Sequence, residues 1–347
     1  MTHSSLGNFD SSTGILIVGH GSRNPVALEE FESLVNSLNA SFKDVPVEYG
    51  YLEFAKPVIS TALERLKKKS VKKVIAIPTM LFAAGHAKND IPSLLNSLAK
   101  EIGLEIIYGK ELGINSSMIT AAGQRIKESI KHLPVHPLSK TLLVVVGRGS
   151  SDPDANSNVY KITRLLVEGL GLGWGETVYS GVTFPLVETG LRHAVKLGFH
   201  RIIVFPYFLF SGVLVSRIRK QTQIVANENP GIEFVNAKYL GNHPLVVKTL
   251  IERVTEAPCG ENLMNCSLCK YRSPLLGFEK EVGSPQVSHH HHVEGIETCT
   301  LCDDFCTSEC ETLLEMKHHH DHAKIEYPHH DHPLGPVTLR SSNYRQI

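Results

Sequence analysis

Apolar residues in this chain fall into short unbroken runs more often than into alternation. Ile15–Val18 is the first of them, apolar at every position and β-branched at all but Leu16. A strand with that character is buried on both faces, and such strands belong to parallel sheets covered by helices. Further strands are predicted at Val47–Leu52, Val74–Ile77 and Glu105–Tyr108. Helices are predicted between them near Pro25–Ala40, Pro57–Lys69 and Lys88–Ile102, and a last one at Ser116–Lys131 closes the unit. The stretch HLPVHPLSK, residues 132–140, carries Pro134 and Pro137 and reads as a linker.

After the linker the pattern starts again. LIVGHGSRNP is matched by Leu142–Pro153 (LLVVVGRGSSDP), Val74–Gly85 by Ile202–Gly212, and Glu111–Met118 by Tyr239–Val246, at a near-constant offset throughout. A repeat of this kind predicts two tandem α/β domains of flavodoxin-like type around a pseudo-twofold axis, each with a four-stranded parallel sheet of order 2-1-3-4. The domains are then residues 1–131 and 141–257, joined by 132–140 and followed by a tail, 258–347. In such sheets ligands bind at the carboxyl ends of the strands, where the strand order reverses.

The repeat also acts as an internal control. Gly19/Gly147, Gly21/Gly149, Pro78/Pro206 and Gly85/Gly212 occur in both copies, whereas His20 is matched by Arg148 and His86 by Val213. Folding therefore does not require the two histidines. His20 follows the first strand and His86 the third, so both imidazoles are expected at the switch point, as ligands for a divalent metal such as Co²⁺, Fe²⁺ or Ni²⁺. Glu53 ends the second strand and is expected to reach the same place, to accept protons or hold a cation; its counterpart near Gly181–Thr183 is uncharged. Arg23, Lys56, Lys88 and Arg148 follow strand ends and are candidates to pair with ligand carboxylates. The GHGSRN turn lacks the spacing of either common phosphate loop, so a nucleotide-binding reading is weak.

Composition changes the picture mainly in the tail. Lys+Arg and Asp+Glu both number 35, so no global field recruits nucleic acid or an anionic membrane. The apolar runs fall short of the roughly 20 residues of a spanning helix, and the amino end lacks the order of a secretory signal, which points to the cytoplasm. All 7 cysteines lie between Cys259 and Cys310. Cys266-x-x-Cys269 and the group Cys299, Cys302, Cys306 and Cys310 predict a metal centre, an iron–sulfur cluster or Zn²⁺. Around them run three histidine tracts: His289, His290, His291 and His292; His318, His319, His320 and His322; His329, His330 and His332. Such tracts bind Co²⁺, Ni²⁺ or Zn²⁺ without a fold, and the tail is expected to be largely disordered in the absence of metal.

LIVGHGSRNP, the FAKP segment, PTMLFAAGHAKNDIP and the duplication together resemble the long form of the CbiX-type sirohydrochlorin chelatases, over residues 14 to about 255. The tail's M-x-C-x-x-C is similar to that of long members carrying a 4Fe-4S centre. The resemblance implies that His20 and His86 are the catalytic histidines and that Co²⁺ is inserted into sirohydrochlorin during anaerobic cobalamin synthesis. Its alternatives are Fe²⁺ insertion in siroheme synthesis, or Ni²⁺ insertion. The substrate is a polycarboxylate, which suits the basic strand ends, and its flat ring suits an apolar interdomain cleft with Leu81, Phe82, Phe208 and Leu209 as candidate walls. A monomer is expected to suffice, since the duplication supplies both sides of the cleft. The rival from another class is a non-catalytic cobalt or nickel store whose working part is the tail.

Overall fold

The computed structural model describes residues 9–260, 262, 264–270 and 272–283. The histidine tracts and Cys299, Cys302, Cys306 and Cys310 lie outside the described residues. The first unit runs β1 (Thr13–Gly19), α1 (Pro25–Asn39), β2 (Val47–Tyr51), α2 (Ile59–Lys68), β3 (Lys73–Pro78), α3 (Ile91–Ile102), β4 (Glu105–Tyr108) and α4 (Ser116–Ile130). The second repeats it with β5 (Thr141–Gly147), α5 (Pro153–Leu170), β6 (Trp174–Tyr179), α6 (Val187–Val195), β7 (Arg201–Pro206), α7 (Val213–Glu228), β8 (Glu233–Asn236) and α8 (Pro244–Glu256). Both sheets are parallel, in the orders β2-β1-β3-β4 and β6-β5-β7-β8, which is the expected 2-1-3-4 order in each copy.

The unbroken apolar runs are explained by layers. Along β1, Ile15 and Ile17 enter one core, while Leu16 and Val18 enter another formed with α2 and α3. In the second repeat Leu143 and Val145 face the first core, while Leu142, Val144 and Val146 face α6 and α7. The first core is common to both repeats: it gathers one face of each sheet with α1, α4, α5 and α8. Polar contacts across this interface keep the pseudo-twofold relation. Arg125 on α4 donates to the carbonyl of Leu240, and Arg253 on α8 donates to that of Leu112. The two arginines occupy equivalent positions in the two copies, and so do the two leucines.

Two helix starts differ from the sequence expectation. α2 begins at Ile59 rather than Pro57, because Val58 stays extended and bridges Tyr51. α3 begins at Ile91, preceded by a π-helical turn, His86–Asp90. Such one-turn π segments occur often at functional sites. The first part of the tail rests on both repeats: Asn262 donates to the Tyr108 carbonyl at 3.2 Å, Asn265 donates to Asp154 at 2.8 Å, and Cys269 is buried.

Candidate metal centre

β1 delivers His20 to the carboxyl end of the first sheet, and β2, its neighbour, delivers Glu53. The connection between them is tight. Gly21 has φ +97°, and a Cβ on it would lie 1.6 Å from the Glu53 carbonyl oxygen, so only glycine lets the two loops touch. The amide of Glu53 donates to the His20 carbonyl at 3.0 Å. Phe54, next along, sits at φ 63° and lays its ring along that of His20, centroids 5.9 Å apart. The guanidinium of Arg23 stands over the Phe54 ring at 5.3 Å. β3, on the other side of β1, leads to the π-turn and His86, whose ring meets His20 edge to face at 4.9 Å.

The outer nitrogens of both imidazoles are committed. His20 Nδ1 lies 3.1 Å from the carbonyl of Gly21, which can only accept, so Nδ1 carries the proton. His86 Nδ1 lies 2.7 Å from Asp90 Oδ2, while Asn89 donates to the other Asp90 oxygen at 2.9 Å. In the neutral rings, Nε2 of each histidine is then a lone pair. His20 Nε2 is 3.1 Å and His86 Nε2 is 4.0 Å from the same oxygen, Glu53 Oε1. Donors bound about 2.1 Å from one ion stand at most about 4.2 Å apart, so both separations fit a shared metal. Among the described residues, His20, Glu53 and His86 are the group that offers such a site, with donor atoms all within 4.8 Å of one another.

Glu53 is buried and its carboxyl is pushed up to about 7, chiefly by loss of water. Asp90 adds to the rise, while His86, Arg148 and Arg23 oppose it. Below its pKa the Glu53 carboxyl carries a proton, and a metal ion held by Oε1 would have to displace it. Proton and metal compete for one carboxyl.

The CbiX family model matches this chain twice, over residues 14–129 and 142–257. The chain belongs to the CbiX family. A sirohydrochlorin cobaltochelatase of Priestia megaterium is 37% identical over 265 residues, 76% of this chain and 85% of its own. A sirohydrochlorin ferrochelatase of Bacillus subtilis strain 168 is 32% identical over 244 residues, 70% of this chain and 90% of its own. Among solved structures, SirB from Bacillus subtilis with Fe³⁺ superposes with a TM-score of 0.63 at 29% identity, covering 73% of this chain and 99% of SirB.

Several residues expected around the CbiX site take other positions. Lys88 does not face the site: its ammonium is buried, 2.6 Å from Asp152 and 3.2 Å from Asp154 of the second repeat. Burial depresses its pKa, but the two carboxylates outweigh that and hold it above its ordinary value. It ties the π-turn to α5. Leu209 is buried in the shared core, so it is no wall. Leu81, Phe82 and Phe208 are half-buried, and Phe82 stacks on Tyr207 of the other repeat at 5.6 Å. Lys56 and Arg148 are exposed. Asp90 and Phe54 escaped the sequence reading. A signal for Asp90 was present, because its counterpart in the second copy is Arg217, a change made together with His86 to Val213.

Proposed function

We propose that the protein inserts Co²⁺ into sirohydrochlorin. The observation that carries the reading is the convergence of His20 Nε2, His86 Nε2 and Glu53 Oε1 with the far nitrogens pinned, in a chain whose relatives bear the names of sirohydrochlorin chelatases. Three protein donors leave the ion an open side, as a metal that is to be handed on requires. Insertion must remove two pyrrole N–H protons while the metal exchanges protein donors for ring nitrogens. As the ion leaves, Glu53 and the histidine lone pairs are vacated one after another, and a carboxyl poised near pH 7 is suited to take one of those protons. Arg23, Lys56 and Arg148 meet the substrate's carboxylates in this reading, and Leu81, Phe82 and Phe208 its apolar surface.

Fe²⁺ insertion is the second reading, favoured by the ferrochelatase of Bacillus subtilis and by the iron in SirB. We assign the tail a metal–thiolate centre, 4Fe-4S or Zn²⁺, on its cysteine spacing. Its first ligands in this reading are Cys266 and Cys269, of which Cys269 is buried. Further ligands would come from Cys299 to Cys310. Metal insertion is derived without it.

The test is an anaerobic absorbance time course of sirohydrochlorin with Co²⁺, Fe²⁺ or Ni²⁺. The wild type should accelerate insertion, and His20→Ala and His86→Ala should fall to the uncatalysed rate. No acceleration with any of the three metals would overturn the chelatase reading and favour the storage protein.

A further inference from the structure

Three buried charges beside the metal centre have uncharged counterparts in the other copy. Lys88, in the middle of the π-turn, meets the amino end of α5. There Asp152 caps the helix through Oδ1 and accepts from Lys88 through Oδ2. Asp154 accepts from Lys88 through one oxygen and from Asn265 of the tail through the other. The three side chains are at most 3% exposed. Their counterparts are Val215 for Lys88, Asn24 for Asp152 and Val26 for Asp154. Asn24 caps α1 as Asp152 caps α5, and Val215 is buried as Lys88 is. Neither the cap nor the inward side chain therefore has to be charged for this fold to form. Taking three charges out of water is costly, and apolar residues of similar volume often hold a fold as well or better. What the ion pair adds is direction, because the Lys88 ammonium has to reach two fixed carboxylates, at 2.6 and 3.2 Å.

Direction matters here because the turn is not wound as its counterpart is. Residues 213–217 open α7 as ordinary α-helix. His86–Asp90 is π-helical, and the Ile91 amide donates to the His86 carbonyl, five residues back. The next amide that could continue this pattern is missing, because residue 92 is proline. The Ala87 carbonyl accepts instead from the Tyr108 hydroxyl at 2.9 Å. The second copy has Arg219 for Pro92 and Asn236 for Tyr108. The π-turn, its proline, its tyrosine and its lysine thus occur together in the copy that holds the metal donors. Lys88 lies two residues beyond His86, roughly half a turn round the winding, so the turn is gripped from both sides. Asp90 holds the His86 ring, and Asp152 holds the backbone that carries it.

We propose that Lys88 is a positioning residue of the metal centre: its ion pair with Asp152 and Asp154 holds the π-turn against the second repeat and so sets where His86 Nε2 stands relative to His20 and Glu53. The copy without ligands serves the site by giving the turn a fixed anchor. This rests on the metal-binding part of the proposed function.

The test is calorimetric titration of the full chain with Co²⁺ and the visible absorption of the bound ion, beside thermal melts and fluorescence titration with metal-free sirohydrochlorin. Lys88→Met alone would strand two buried carboxylates. The deciding variant is therefore Lys88→Met/Asp152→Asn/Asp154→Asn, which removes the charges and leaves both the helix cap and an acceptor for Asn265. It should melt at or above the wild-type temperature, and bind Co²⁺ about tenfold to a hundredfold more weakly with a changed ligand-field spectrum. It should bind the tetrapyrrole as the wild type does. Asp152→Asn, in which Lys88 keeps Asp154, should lose Co²⁺ affinity to a smaller degree. If the triple variant does not fold, this single variant decides, and Co²⁺ binding equal to wild type then overturns the proposal. An unchanged Co²⁺ affinity and spectrum in the folded triple variant overturn it too, leaving the cluster a purely structural one. So does a loss of tetrapyrrole affinity with Co²⁺ binding intact, which would make Lys88 a substrate group. A wild type that binds Co²⁺ and inserts none sinks the chelatase reading alone. One that inserts it while the triple variant binds Co²⁺ equally well sinks the positioning role alone.

Discussion

A buried carboxyl held for metal is a burden on the fold when the metal is absent, and Glu53→Gln measures it. The Glu53 carboxyl titrates at about 7 in the folded protein against an ordinary 4.5. Between those values the folded protein keeps a proton that the unfolded chain has released, so stability falls as pH rises through that window. Each pH unit is worth about 1.4 kcal/mol, so the full penalty above pH 7 is about 3 kcal/mol. Glutamine imitates the protonated acid in size and polarity, and it does not ionise. In urea unfolding with a chelator present, the variant should be more stable than wild type by about 3 kcal/mol near pH 8, and equal to it near pH 4.5. Free Co²⁺ at about a hundred times its Kd should then add about 2.7 kcal/mol to the wild type and much less to the variant. Equal stability of the two proteins near pH 8, or a difference that does not vary with pH, would refute the account of Glu53.

Three other outcomes follow from the same geometry. Co²⁺ uptake should release more protons at about pH 6 than at about pH 8, because the metal displaces the Glu53 proton together with any carried by the two imidazoles; calorimetry in buffers of different ionisation enthalpy counts them, and Glu53→Gln should release fewer than wild type at about pH 6. Asp90→Ala should weaken Co²⁺ binding about tenfold to a hundredfold by freeing the His86 ring, while Asp90→Asn, which can still accept from Nδ1, should retain much of the affinity; equal losses in both would contradict a positioning role. Gly21→Ala should lower stability by about 3 kcal/mol or more through its left-handed φ and the carbonyl it strikes, whereas Gly169→Ala, in α5 with open space around it, should raise it by about 0.5 to 1 kcal/mol; thermal melts of the pair test both.

The strands and their order were legible because a doubly covered sheet needs apolar residues at successive positions, and β1 and β5 supply them without a break. His20 and His86 were legible because the second copy dispenses with them. Lys88 was misread from its place after a strand. Its counterpart in the second copy is Val215, which is buried, and a position that is apolar in one copy and charged in the other is an inward one with local compensation. Here Asp152 and Asp154, far along the chain, provide it. Leu209 was misread for a similar reason: apolar residues beyond β7 serve the shared core as readily as a ligand. The π-turn was not legible. Its five residues read as the first turn of α3, and only the contact of His86 with Asp90 shows what the altered winding presents.

The shared core also has a bearing on how the chain is made. α1 and α4 of the first repeat pack against α8, the last helix of the second, so the first repeat cannot cover that face until residue 256 has left the ribosome. At about 5–20 residues per second, the wait between completing one repeat and the other is on the order of ten seconds. During it, Phe31, Leu34, Met118 and Ala122 await their partners, and a neighbouring nascent chain on the same message offers a surface of the same kind. The tether resolves the competition: the copy that arrives on the same polypeptide does so at a high effective concentration. A truncated product ending in the linker has no such partner, and should leave the ribosome seeking a second copy of itself.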